Sequence, residues 1–331
     1  MAALPNTFQS TVAVGNREEL SDIVNRITPE DTPIYTMIEK GKAESTNPQW
    51  EIDELAPPAA NAQVEGDEYT FSATTPPVRV GNHTQIFRKT GIVSGTREAV
   101  ANAGNVEKTA EQKLKKAIEV RKDVELSIVS NSASVAGNTR VSGGLPSWIE
   151  TNVSRGAGGA NGGYDPATKL TVAETIGTQR AFSKALLDTV SDMVFTSGGN
   201  AKHPVGTGYV KTVFATFMAD PNVAALRSAV PALGKKTVLS GSVDIYRGPN
   251  LMLEITANRV MSASAATARR AFIIDPDMLE WLWLRKIAED KDVAKTGDAK
   301  KFVMLGEGTL KVKNEAAHGE VADIFGLSAA A

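Results

Sequence analysis

The stretch REAVANAGNVEKTAEQKLKKAIEVRKDVELSIV (97–129) has no proline and a single glycine, Gly104, and its reading decides the architecture. Ala103, Val106, Ala110, Leu114, Ala117, Val124 and Ile128 recur mostly at three- and four-residue steps, the repeat of an amphipathic helix. Glu107, Lys108, Glu111, Lys115, Lys116, Arg121, Lys122 and Glu125 fill the remaining positions, and Glu111 with Lys115 makes a well-oriented i,i+4 pair. At 1.5 Å per residue such a helix would run roughly 50 Å. That is far longer than an average helix and needs a long partner surface. Alanines occupy too many seam positions for a coiled coil, and the strand-rich remainder argues against an all-helical bundle. The fold class is α+β.

Upstream, PQWEIDEL (48–55) and RVGNHTQIFRKTGIVSG (79–95) pattern as strands, with Trp50 and Ile52 on one face of the first and Glu51 and Asp53 on the other. Between them, residues 56–77 are rich in proline, alanine, threonine and acid and carry no periodicity. So long a structureless loop is uncommon inside a compact domain, and a lone two-stranded ribbon is only marginally stable. The excursion is therefore expected to lie on something, a neighbouring subunit being the natural candidate. Trp50 would either anchor it there or pack within its own subunit. Further upstream, residues 1–16 carry no charged side chain and read as an extended arm. A helix is expected from Asn16, with Leu20, Ile23, Val24 and Ile27 as its stripe, broken at TPEDTP (28–33) and followed by a short helical piece, IYTMIEKG (34–41).

Downstream, a Gly/Ser/Asn-rich joint (130–144) leads to LPSWIETN (145–152) and the glycine loop GAGGANGG (156–163). Helical VAETIGTQRAFSKALLDT (172–189) then alternates with strand-like DMVFTS (192–197), GSVDIYRG (241–248) and LMLEIT (251–256), as in a compact α+β domain. The last sixty or so residues read mainly as strand: AFIID (271–275), LEWLWLR (279–285) and KFVMLGEGTLKVKN (301–314), where Leu310 and Val312 alternate with Lys311 and Lys313.

Composition narrows the function. The chain has 331 residues, about two domains' worth. Its 36 Lys+Arg against 38 Asp+Glu give a net charge of -2, which argues against a nucleic-acid reader with a broad basic surface. No cysteine is present, which excludes disulfides, thiolate metal sites and thiol catalysis. The histidines, His83, His203 and His318, are far apart, form no zinc-spaced pair, and read as satisfied or solvent-facing side chains. There is no GxSxG elbow, and GTGYVK (206–211) lacks both phosphate-loop patterns and reads as a flexible loop. No signal peptide and no apolar run of membrane-spanning length are visible, so a soluble cytosolic product is expected. Charge is uneven: residues 1–68 hold 13 acidic against 4 basic side chains, and residues 69–130 hold 6 against 10. An acidic extended stretch on a more basic body suits arms that reach to the next copy.

The order of arm, hairpin excursion, long helix, α+β domain and terminal strands resembles the major capsid protein of tailed bacteriophages, the Hong Kong 97 fold. NREELSDIVNRITPEDTPIYTMI (16–38), NHTQIFRKTGIVSGTREAV (82–100), GGLPSWIETNVSRGAGGA (143–160) and GEGTLKVKNEAAHGEV (306–321) are similar to its SU10-like branch, from about residue 16 to the C-terminus. The resemblance implies an N-arm with N-terminal helices (1–43), an E-loop over the adjacent subunit (44–92) and a P domain (93–149) whose spine helix is 97–129. It further implies an A domain around the symmetry axes (150–270), where glycine loops let backbones crowd, and C-terminal strands returning to the P domain (271–331). NEAAHG (314–319) becomes a structural turn. Subunit contacts are expected at Trp50, Ile52, Glu65, Asp67, Glu68, Tyr69, Phe71, Arg79, Arg88, Lys89, Lys115 and Arg121.

The implied function is a non-enzymatic shell subunit in the virion, assembled in the host bacterial cytoplasm, with no cofactor, metal or membrane. Its implied partners are copies of itself in hexamers and pentamers, a portal, decoration proteins and non-specifically contacted double-stranded DNA. The short stretch before the first helix implies a separate scaffolding protein or a very short arm doing that work. No motif marks a Lys–Asn crosslink, so assembly is expected to be non-covalent. The alternatives are an encapsulin-type nanocompartment shell and, from another class, an oligomeric enzyme with a lid over residues 56–77.

Overall fold

The computed structural model describes residues 31–69, 71–100, 108–217, 245–248, 250–295 and 297–329. The arm, the helix expected from Asn16, and Gly104 with its neighbours lie outside these residues, as do residues 218–244. Two sheets organise the rest.

The first sheet has the order β1-β13-β14-β4, built from β1 (Glu39–Lys42), β13 (Leu279–Asp290), β14 (Ala299–Val312) and β4 (Gln85–Ser94). β13 and β14 form a long antiparallel hairpin, from Leu279↔Val312 to Asp290↔Val303, with register shifts on either side of Arg285. β4 continues the sheet antiparallel to β14 over Gly308↔Gln85 to Ala299↔Ser94. Leu310 and Val312 point into the core while Lys311 and Lys313 are only half-buried, as their alternation predicts. Helix α3 (Lys108–Val129) lies across this sheet, burying Val120, Val124 and Ile128 in one core with Phe87, Trp281 and Met304. Ion pairs at 2.8 Å, Lys89 to Asp123 and Lys113 to Glu289, tie it to β4 and β13.

The helix differs from its sequence reading in two ways. A separate short helix, α2 (Gly95–Ala99), is capped by the Ser94 hydroxyl and ends at Val100, whose extended backbone (φ −66°, ψ 129°) breaks any continuous run from Arg97. The described spine is 22 residues, about 33 Å. Glu125, assigned by periodicity to the polar face, is fully buried. Its carboxylate accepts hydrogen bonds from Ile34 N (3.0 Å), Tyr35 N (2.7 Å) and Asn258 Nδ2 (2.7 Å), holding the start of α1 (Pro33–Met37) against the spine. Burial raises its pKa despite these donors. The helical reading of 34–41 stops at Met37. After the cap residue Ile38, Glu39–Lys42 are drawn out as β1, parallel to β13, where Gly41 passes so close to Glu280 that a Cβ would sit 2.0 Å from its carboxylate.

The second sheet has the order β11-β8-β12-β15-β5, from β11 (Thr256–Ala257), β8 (His203–Gly206), β12 (Arg270–Ile274), β15 (Gly319–Ala322) and β5 (Val153–Ser154). All five residues of β12 are buried. Phe272 and Ile274 belong to the core of the first sheet, while Ala271 and Ile273 belong to a second core with Leu187, Val190, Val210 and Phe214. A strand covered on both faces reads as an unbroken apolar run, which accounts for AFII. β12 and β15 thus sit in this sheet, whereas β13 and β14 belong to the first.

DMVFTS, expected as strand, is the second half of α4 (Lys184–Thr196). Ser183 caps that helix, and Leu187, Val190, Ser191 and Val194 form one buried stripe. GTGYVK is no flexible loop. The Thr207 hydroxyl accepts from Val210 N at 3.2 Å and starts α5 (Gly208–Thr216). The glycine loop packs within its own chain: a Cβ on Gly156 would lie 2.0 Å from the Thr178 carbonyl oxygen and one on Gly162 2.4 Å from that of Pro146. Three small ribbons complete the fold: β2 (Gln49–Ile52) with β3 (Val78–Gly81), β6 (Gly163–Asp165) with β7 (Leu170–Val172), and β9 (Ile245–Arg247) with β10 (Met252–Glu254).

Candidate assembly surface

The excursion has an anchored root and a bare tip. At the root, the Trp50 indole donates to the Val312 carbonyl at 2.9 Å and lies 5.5 Å from the Trp148 ring, which stacks in turn on Tyr164. Trp50 and Ile52 pack against the first core, so of the two roles open to Trp50 it takes the one within its own subunit. Asn82, fully buried, donates to Leu310 O (2.7 Å) and Gly143 O (3.2 Å) and accepts from Gly143 N (2.8 Å). Glu307 accepts from Thr84 Oγ1 (2.8 Å), Arg140 (2.7 Å) and Arg285 (2.7 Å). Burial alone would push its carboxyl up; the hydroxyl and the two guanidinium groups outweigh it and hold the pKa below the ordinary value. The ten-residue β4 belongs to the first sheet, so the excursion proper ends near Thr84 rather than Ile92.

Beyond Ile52 and before Val78 no regular structure forms among the described residues. Leu55 (97%), Val64 (79%), Tyr69 (87%) and Phe71 (95%) are left in solvent, interleaved with exposed Glu65, Asp67 and Glu68. A turn at Glu65–Gly66, where Gly66 takes φ +86°, is closed by Asp67 N donating to Val64 O at 3.2 Å. These five expected contact residues, Glu65, Asp67, Glu68, Tyr69 and Phe71, thus share one extended exposed segment. Arg79 pairs across the ribbon with Glu51 at 3.7 Å, both well exposed. Arg88, Lys115 and Arg121 are exposed on β4 and α3, whereas Lys89 is committed to Asp123.

Periodicity missed a buried ionic cluster under the second sheet. Glu174 accepts from Arg155 and forms an ion pair with Arg270 at 2.6 Å, while Asp323 pairs with Arg269 at 3.1 Å. Glu320 is fully buried, 3.9 Å from Arg155 and 3.8 Å from Arg270, and its oxygens have no hydrogen-bond partner among the described residues. Burial and the neighbouring Glu174 charge raise its pKa against the pull of both arginines. No local spacing joins these residues, so only the folded chain reveals them. Of the histidines, His318 is fully buried, with Nδ1 accepting from Asp275 N at 3.2 Å. Among the described residues, no three His, Asp or Glu side chains converge as metal ligands, and no helix is long and apolar enough to cross a membrane.

Comparison with known proteins agrees with this layout. The chain is 33% identical over 132 residues to the major capsid protein of Escherichia phage Phieco32, a stretch covering 40% of this chain and 38% of that protein's length. It superposes on the capsid of an empty GTA particle with a TM-score of 0.60 at 13% identity, covering 96% of this chain and 97% of the other. It also superposes on a chain of the Phage G assembly of major capsid and decoration proteins, with a TM-score of 0.54 at 10% identity and coverage of 99% and 100%. At such identities these two likenesses establish the fold, which is Hong Kong 97-like. The model of the SU10 major capsid protein family matches residues 6–325, and the chain belongs to that family.

Proposed function

We propose that the chain is the repeating subunit of a tailed-phage head, assembled without covalent crosslinks into a closed shell around double-stranded DNA. The observation that carries this reading is the excursion's tip, where Leu55, Val64, Tyr69 and Phe71 find no cover among the described residues. Exposed apolar side chains in such numbers on an irregular segment suit a surface completed by another molecule. Head-to-tail contacts of this kind close into rings when each subunit's arm lies on the next.

In this reading residues 44–84 form the E-loop, α3 with the first sheet forms the P domain, and the second sheet with α4 and α5 forms the A domain around the five- and six-fold axes. Glu65, Asp67, Glu68, Tyr69 and Phe71 meet a neighbour. Arg79, Arg88, Lys115 and Arg121 offer the basic counterpart, and Trp50, Ile52 and Lys89 act indirectly by fixing the root. The partners are further copies of the chain, a separate scaffolding protein, a portal and decoration proteins, with weak sequence-independent DNA contact. Assembly takes place in the host cytoplasm, and the subunit catalyses no reaction.

Deleting residues 56–77 tests the reading. The variant should fold with the stability of the full chain yet yield no particles by negative-stain microscopy, with the scaffolding protein present if the full chain needs it. Intact particles from the deletion would remove the tip from assembly.

A further inference from the structure

Three passages of the chain between the two sheets meet at one turn. Residues 150–152 lead into β5, 275–278 join β12 to β13, and 313–318 join β14 to β15. The Glu315 carboxylate accepts from Glu150 N (3.0 Å), Thr151 N (3.3 Å) and Thr151 Oγ1 (2.9 Å). Asn152 donates its amide to Ala316 O (2.7 Å) and His318 O (3.0 Å). The His318 imidazole makes the remaining tie, Nδ1 accepting from Asp275 N at 3.2 Å.

That bond defines the protonation state. A ring nitrogen that accepts carries no hydrogen, so His318 is neutral with its proton on Nε2, and Nε2 has no hydrogen-bond partner among the described residues. An imidazolium carries N–H on both nitrogens. Protonation in place would turn Nδ1 from acceptor to donor, facing another donor in a site closed to solvent. We propose that the His318–Asp275 hydrogen bond is a proton-sensitive latch on the junction of the two sheets, shut while the imidazole is neutral and released by acid.

The surrounding charges leave the imidazole without a counter-ion. On the 275–278 turn, Asp275 accepts from Asp277 N at 3.1 Å and the Asp277 backbone carbonyl binds Lys313. Lys313 is also paired with Glu39 on β1, and Glu315 is committed to residues 150 and 151. Lys202 and His203, with Asp275, Asp277, Met37 and Asn200, border a cavity of about 400 Å³ beside the turn. Consistent with this setting, burial lowers the His318 pKa to about 4, only partly offset by the Met278 carbonyl.

Once released, the imidazole regains its ordinary pKa near 6.5. The opening equilibrium should be flat above that pH, rise as pH falls below it, and level off near pH 4. At pH 4.5 the gain is on the order of fifty- to a hundredfold. The latch is a property of the single subunit and does not depend on the shell reading.

Hydrogen–deuterium exchange of the full chain between pH 7.5 and 4.5, with labelling times scaled to intrinsic amide rates, tests it. Peptides spanning 275–279 and 315–320 should gain exchange by that factor in acid, while β14 peptides over 302–310 hold steady. His318→Asn keeps an oxygen acceptor for Asp275 N–H but cannot titrate, and its profile should be flat. A flat wild-type profile overturns the latch, as does an equal rise across β14 or an undiminished rise in His318→Asn. If the variant does not fold, the wild-type profile decides alone.

Discussion

The root and the tip of the excursion are a few residues apart in sequence and obey opposite rules. Both side-chain polar atoms of Asn82 and both carboxylate oxygens of Glu307 are engaged at the root, and Trp50 fills a place between Trp148 and β14. At the tip, apolar side chains stand in solvent and backbone hydrogen bonds are few. The difference marks where self-made order stops: the ribbon ends at Ile52 and Val78, and the bonded root gives way to a segment that its own chain holds by few contacts.

Substitutions can break or sharpen that contrast. Trp50→Ala should have the largest effect, lowering unfolding free energy by about 3 kcal/mol in a denaturant titration. A loss no larger than a surface substitution gives would make Trp50 part of the tip. Asn82→Ala should cost about 2 kcal/mol, because the Gly143 N–H and Leu310 carbonyl lose their partner in a buried place.

Glu307 alters the shape of a pH profile. Its folded-state pKa lies below the unfolded one, so its contribution is present above about pH 4.5 and lost as pH falls through the folded value. Glu307→Gln should flatten that acid limb of thermal stability; an unchanged limb would show that the root does not need the charge. Smallest of all, Leu55→Ser or Phe71→Ser should move subunit stability by no more than about 0.5 kcal/mol. The same changes should cut particle yield, which separates a surface built for a neighbour from one built for the fold.

Much of this contrast was legible in sequence, for particular reasons. Residues 56–77 declared themselves by lacking any period. The end of KFVMLGEGTLKVKN declared itself by the alternation of Leu310 and Val312 with Lys311 and Lys313, since the first two are buried in the core and the lysines only half-buried. Glu125 misled because a charge at the edge of a helical stripe looks solvated until α1, some ninety residues earlier, supplies two backbone donors. DMVFTS misled because β-branched and aromatic residues favour strands in isolation; the stripe running on from Leu187 and Val190 was the signal that outweighed them. The cluster of Arg155, Glu174, Arg270 and Glu320 left no trace at all. Its members come from separate segments joined only by sheet pairing, and single-sequence spacing holds no information about such encounters.

The position of β15 has a consequence for biosynthesis. It is translated after every other strand of its sheet, yet it lies between β12 and β5, hydrogen-bonded to both. On the ribosome, β12 and β5 must wait with open edges while β13 and β14 are made, and at roughly 5–20 residues per second that wait lasts seconds. Exposed strand edges invite pairing with other chains. The second sheet therefore cannot close until β13 and β14 have been made and β15 follows them.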